Sequence, residues 1–215
     1  VISIDTLSHF LKNFSWMMFE NIVKVLVGLF VTIYVIRYLG AKDFGLLSYT
    51  LSIVGVLYPF STLGIDAILF RNIIKDKESE RDLIHTARLL RFIASIVIVI
   101  LATASIYLYS ENIDFIIIGT ILLFGLIVDS FEVYKAYFSA IVKTKYIAIS
   151  SINSIVIASL VKIVFALLKL NVIWFAMVFV IQKIINISIL KYFYGKERGI
   201  SKSKYDNKIA KNMLL

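Results

Sequence analysis

The chain has 215 residues, 60% of them hydrophobic and 17% charged, with one proline and no cysteine. A soluble domain is roughly 45–50% apolar and about one quarter charged, so a soluble enzyme of this length is excluded, as are disulfides and thiolate chemistry. The net charge of +9, from 23 Lys+Arg against 14 Asp+Glu, points to nucleic acid only if the positive residues do not sort by membrane side.

A bilayer core of ~30 Å takes about 20 apolar helical residues to cross. Six stretches qualify, over residues 14–36, 44–65, 92–109, 113–134, 147–168 and 172–190. The first is not a signal peptide, because it is too long, holds Glu20 and Lys24 and lacks a small-residue cleavage site. Barrel strands alternate polar and apolar residues, whereas Phe115–Val128 is unbroken apart from Gly and Thr. The expected fold class is therefore an all-α integral membrane protein. Residues 1–190 form its transmembrane unit and 191–215 a basic cytoplasmic linker.

Lys and Arg in the connections set orientation. With a cytoplasmic N-terminus, segments 1–13, 66–91, 135–146 and 191–215 hold 17 of the 23 positive residues. The outer segments 37–43, 110–112 and 169–171 hold three, and Lys24, Lys162 and Lys183 lie within spans. Both termini are expected in the cytoplasm. The positive charge is mainly a topology signal, so membrane lipids are expected partners and nucleic acid is not.

An ionisable group at mid-membrane costs ~2.5–3.5 kcal/mol on insertion scales and usually faces a cavity or a partner. The deepest charges are the three lysines, while Glu20, Asp129 and Glu132 fall in the cytoplasmic third. At ~100° per residue, Glu20, Asn21, Lys24, Gly28 and Thr32 share one arc of span 1. Gly45, Ser48, Ser52, Gly55 and Pro59 share another in span 2. Ser151, Ser154, Ala158 and Lys162 line up in span 5, and Gln182, Lys183 and Asn186 in span 6. The functional reading is a water-accessible cationic cavity for an anionic ligand. Against it, Glu20 and Lys24 at i, i+4 neutralise each other, Lys162 snorkels outward, and the span 2 stripe is a packing seam. Lys183 has no acid one turn away in its own helix. Span 3, with only Ser and Thr as polar groups, reads as peripheral. Pro59 is expected to kink span 2.

Nothing supports catalysis. His9 and His85 lie in cytoplasmic segments, no acid–histidine set has metal spacing, and no glycine-rich phosphate loop occurs. No enzyme activity, cofactor or metal is expected. Asp129 and Glu132, at i, i+3, read as a helix-end pair or a proton-carrying pair.

The ordered series Asn13-Phe14-Ser15-Trp16, Glu20, Gly28-Leu29, Arg37-Tyr38-Leu39-Gly40, Phe44-Gly45-Leu46, Gly64-Ile65-Asp66 and Arg71 resembles the start of the Wzx-type polysaccharide flippases. These O-antigen and repeat-unit transporters belong to the multidrug/oligosaccharidyl-lipid/polysaccharide exporter superfamily. The resemblance continues more weakly through Lys143–Ile149 and ends at Tyr205–Leu215, which looks like the entry to the family's seventh helix. It implies that the chain is the N-terminal, six-helix lobe of a twelve-helix, two-lobed exporter in the bacterial inner membrane. The implied cargo is an undecaprenyl-diphosphate-linked oligosaccharide for O-antigen, capsule or exopolysaccharide synthesis. A polysaccharide polymerase and glycosyltransferases are the implied partners.

In that family the first two helices line the cleft, which places Glu20, Lys24 and Ser52 on the substrate route and Lys162 and Lys183 nearer its edge. A functional arginine of the peptidoglycan-precursor relative is replaced here by Leu29-Phe30-Val31-Thr32, so its role does not carry over; Lys24 is a substitute one turn earlier. Arg37, Pro59, Asp66 and Arg71 are the helix-end or gating candidates. Arg37 anchors at lipid phosphates, Gly40 lets the chain re-enter, and Asp66 and Arg71 bracket the cytoplasmic end of span 2. Three alternatives stand beside this reading: a drug or cation antiporter of the same superfamily, which should carry deep acids; a polysaccharide polymerase, which should carry large outer loops; and a membrane scaffold.

Overall fold

The computed structural model describes residues 4–75, 80–198 and 210, with side chains from Asn13 onward. The elements among them are seven helices: α1 Ile4–Thr62, α2 Ile65–Lys75, α3 Glu80–Tyr109, α4 Ile113–Asp129, α5 Val133–Ala140, α6 Thr144–Leu167 and α7 Val172–Arg198. The chain is all-helical, as expected from its unbroken apolar runs. Four segments are long and apolar enough to cross a membrane: Asn13–Thr62, Glu80–Tyr109, Thr144–Leu167 and Val172–Arg198. The pair α4 and α5, bent by 41°, is a broken span or a re-entrant loop and makes a fifth if it is one span.

Several boundaries differ from the expectation. The runs at 14–36 and 44–65 share α1, whose one non-helical residue is Gly40, at φ 75° and ψ 173°. Only glycine occupies that region of backbone space freely, so the chain breaks there. Pro59 lies in helical backbone, and α1 ends three residues later. The stretch 66–91, expected as a connection, folds as α2 and the first turns of α3, apart from 76–79, which lie outside the described residues. The run at 113–134 is interrupted after Asp129, and 135–146 is largely α5. Helix α7 continues past Leu190 to Arg198. The rest of the expected linker and the segment Tyr205–Leu215 lie outside the described residues, Ala210 apart, as does the His9 side chain.

Contacts along the helices show that the chain reverses at Gly40. Near the N-terminal end, the Thr144 hydroxyl donates to the Asn13 carbonyl at 3.1 Å, and Lys145 sits over the Trp16 ring. At the far end of the same helix, Tyr38 donates to the Leu170 carbonyl at 2.8 Å and its ring meets Phe175. The α1 segment before Gly40 therefore runs alongside α6 in the same direction. After Gly40, Tyr49 meets Phe115, and nine residues on Tyr58 shares a cavity wall with Asp129, Lys183 and Asn186. This segment follows α4 and α7 back toward the N-terminal end.

The packed interior is two apolar cores. One joins α2, α5, the starts of α3 and α6 and the last turns of α7, with Leu69, Ile84, Tyr137 and Leu190 among its buried residues. The other joins α1, α4 and α7 and includes Leu47, Leu123, Leu126 and Phe175. Between them lies a layer of polar side chains, of which Arg91, Asp129 and Ser130 are buried.

Candidate functional site

Two helix breaks open this layer. After Pro59, whose ring removes the bond its N–H would give to Gly55, the Ser61 and Thr62 hydroxyls donate to the carbonyls of Tyr58 and Pro59 at 2.8 and 3.1 Å. Leu63 and Gly64 then take positive φ values of 52° and 64°, turning the chain into α2 with Asp66 in its first turn. At the other break, Ser130, Phe131 and Glu132 each donate from N–H to the carbonyl three residues back. This tight turn redirects α5 and releases α4's last carbonyls from the helical ladder.

Arg91 of α3 bridges the two breaks. Its guanidinium donates to the Asp66 carboxylate at 2.5 Å and to the Asp129 main-chain carbonyl at 2.8 Å. Arg91 is 1% exposed, and its Nε is buried without a hydrogen-bond partner. A buried guanidinium persists only when paired and hydrogen-bonded, and both conditions come from residues at chain breaks.

Asp129 turns its carboxylate the other way, to the Lys183 ammonium at 2.5 Å. The route of Lys183 depends on Gly125, one turn before Asp129. A Cβ there would lie 3.4 Å from the Lys183 Nζ and 3.6 Å from its Cδ. A third pair, Lys135–Glu132 at 3.7 Å, completes the layer. Two cavities flank it. One of about 330 Å³ is walled by Tyr58, Asp66, Arg91, Glu132, Lys135 and Ser139. The other, of about 360 Å³, is walled by Gly55, Tyr58, Asp129, Glu132, Lys183 and Asn186. Tyr58 and Glu132 belong to both.

The residues singled out from the sequence separate into distinct places. Lys183 and Asp66 join the layer, and the partner that Lys183 lacked in its own helix is Asp129 on α4. Asp66 is more than helix-end architecture, since it neutralises a buried arginine. Glu20 and Lys24 pair with each other at 2.5 Å on α1 and line neither cavity. Ser52 is exposed and donates to the Ser48 carbonyl at 2.9 Å. Lys162 faces inward instead of snorkelling. Its ammonium lies 4.0 Å from the Phe179 ring centroid in a niche of about 30 Å³ shared with Val35, Phe44 and Phe175. Arg37, Pro59 and Arg71 are exposed. The deep lysines are thus not a uniformly cationic set: two of the three are matched by carboxylates.

Arg91 is the residue that sequence reasoning missed. It falls one position before the expected start of span 3, so it was counted among cytoplasmic positives and α3 was read as peripheral. The available signal was the absence of any break between Glu80 and Tyr109 once 66–91 is read as helical rather than connecting.

A second polar cluster closes the N-terminal end. Glu80, 2% exposed, accepts from Arg198 at 2.7 Å and from the Tyr194 hydroxyl at 3.3 Å. Arg198 also donates to the Tyr137 hydroxyl at 3.1 Å, and Lys143 pairs with Glu197. These contacts pin the end of α7 to α3 and α5. Among the described residues no group of three or more His, Asp or Glu could hold a metal ion.

In comparisons with known proteins, the family model described as "Polysaccharide biosynthesis protein" matches residues 10–214. No curated protein and no solved structure matches the chain.

Proposed function

The chain belongs to the polysaccharide biosynthesis protein family, and we propose that it exports an undecaprenyl-diphosphate-linked oligosaccharide across the bacterial inner membrane. On this reading α1 crosses the membrane twice, on either side of Gly40, and the bent pair α4–α5 crosses once. That makes six crossings with both termini in the cytoplasm. The six-helix unit acts as one lobe, with a second lobe closing the cleft in a Wzx-type arrangement.

The observation that carries the reading is that α1 is left largely uncovered, with polar and small residues exposed among large apolar ones such as Phe19, Leu29 and Val56. The most apolar window of Asn13–Thr62 is 6% buried, against 17–33% for the other three long segments. Along it Asn21, Thr32, Gly45, Ser52 and Gly55 are exposed, and no atom lies within 4 Å of where a Cβ would stand at Gly28, Gly45 or Gly55. Polar groups facing lipid are costly. A helix that leaves them uncovered is suited to line a water-filled cleft between lobes.

Lys24, its side chain 41% exposed beside a Glu20 that is 10% exposed, offers an ammonium to that cleft. Lys183 offers a second at the cavity wall. Lysine suits a diphosphate as a mobile point charge. Lys162 stays with Phe179, outside the route. The buried acids Glu20 and Asp129 favour cation antiport, and their pairing with Lys24 and Lys183 weighs against it. The direct test is complementation of polysaccharide export. Lys24→Ala should lower surface polysaccharide several-fold at normal protein level, and unchanged export would remove Lys24 from the route.

A further inference from the structure

The charged layer balances pair by pair. Arg91 is matched by Asp66 at 2.5 Å, Lys135 by Glu132 at 3.7 Å, and Lys183 by Asp129 at 2.5 Å. The three pairs are not equally placed. Arg91 is 1% exposed and locked at two of its nitrogens, so it cannot turn toward a second acid. Lys135 is 56% exposed and lines only the cavity on the α2 side. The Lys183 side chain is 33% exposed and opens on the other cavity, while its partner Asp129 is 7% exposed. The strip of α4 along which Lys183 lies is Gly125, so its methylene chain passes a backbone position with no side chain. Of the three cations, Lys183 is the one with both room to move and a wall to move along.

We propose that Lys183 is an exchangeable cation: an incoming diphosphate takes its ammonium from Asp129, and Asp129 takes up one proton in its place. This rests on the export reading for the identity of the anion and adds what happens to the carboxylate left behind. The Lys183–Asp129 ion pair breaks, a Lys183–phosphate ion pair forms, and a proton from solvent through the 360 Å³ cavity neutralises the Asp129 carboxylate. The one covalent change is the O–H bond formed on Asp129, its proton leaving hydronium or a buffer acid in the solvent.

The physical reason is desolvation. A carboxylate removed from water and stripped of its cation is strongly destabilised and protonates instead. The groups facing Asp129 do not substitute for Lys183. Tyr58 of α1, Glu132 of the α4–α5 turn and Asn186 of α7 share its cavity, Arg91 of α3 reaches its main chain, and Asp66 of α2 and Lys135 of α5 line the neighbouring cavity, which shares Tyr58 and Glu132. Arg91 gives Asp129 a bond only at its main-chain oxygen, Lys135 is held by Glu132, and Glu132 itself repels a second negative charge. Anion binding and proton uptake are therefore linked at one residue.

The test is calorimetric binding of undecaprenyl diphosphate to the full chain in detergent, in two buffers of different ionisation enthalpy. The wild type should take up about one proton per ligand, and Asp129→Asn close to none, while binding more tightly than wild type at pH 8 because Lys183 is already released. Gel filtration and thermal unfolding establish that the variant is folded, and Lys183→Gln should weaken binding about tenfold or more. Diphosphate binding to the wild type without net proton uptake, or the same uptake in Asp129→Asn, would overturn the exchange while leaving the export reading intact. Failure of the wild type to bind the diphosphate at all would overturn both.

Discussion

Arg91 and Asp129 meet through a guanidinium and a main-chain carbonyl, 2.8 Å apart, at the point where α4 stops and α5 turns away by 41°. That carbonyl already accepts the Glu132 N–H at 3.0 Å, so both of its lone pairs are used. The same arginine holds Asp66 at the start of α2. A single side chain thus fixes the relative positions of two chain breaks, and through them the walls of both cavities.

Unequal exposure of the two ends makes the network testable. Asp66 is 46% exposed on its side chain and Arg91 1%. Asp66→Asn leaves a guanidinium that is 1% exposed without its counter-charge and should cost about 3 kcal/mol, the low end for a broken buried pair because the carboxylate itself is part-exposed. Arg91→Met removes the charge together with its need for a partner, and the Asp129 carbonyl keeps the Glu132 N–H, so it should cost less, about 1 kcal/mol. Thermal unfolding of the two variants in detergent checks the order. Equal losses would mean that neutralising the buried guanidinium contributes little.

Gly40 should tolerate no side chain. Its φ of 75° and ψ of 173° lie where L-residues cost about 1–3 kcal/mol, and nothing crowds the position that a Cβ would take. Gly40→Ala should therefore destabilise by backbone strain alone. A larger residue such as Val, stiffer at χ1 and β-branched, should be worse than Ala. Gly40→Asn should be no better than Ala, because a ψ of 173° lies outside the left-handed helical well that Asn tolerates; unfolding of the three variants checks the order.

Lys162 carries a charge in an apolar niche, and among the described residues no carboxylate pairs with it. Its contact with Phe179 at 4.0 Å contributes on the order of 0.5–2 kcal/mol, less than the ~2.5–3.5 kcal/mol that a mid-membrane charge costs on insertion scales. Lys162→Met should accordingly raise the unfolding temperature and leave export unchanged. A loss of export would place Lys162 on the substrate route after all.

The sequence carried the all-helical class well, because long unbroken apolar runs are a property of the chain itself. It carried the Glu20–Lys24 pair for the same reason, since i, i+4 contacts are local. The Lys183–Asp129 and Arg91–Asp66 pairs join residues 54 and 25 positions apart, and no periodicity predicts which faces meet. The interruption after Asp129 was hidden because Ser130-Phe131-Glu132 contains neither Gly nor Pro. Tertiary contacts from Arg91 and Lys183 hold that turn in place of a breaker residue.

The most direct measurement follows the lipid-linked oligosaccharide itself, by its accessibility to a membrane-impermeant reagent at each face of the inner membrane. Cells lacking this protein should accumulate the oligosaccharide on the cytoplasmic face and lose surface polysaccharide, with both restored by the wild-type gene. Unchanged appearance of the oligosaccharide at the outer face in those cells would contradict the export account.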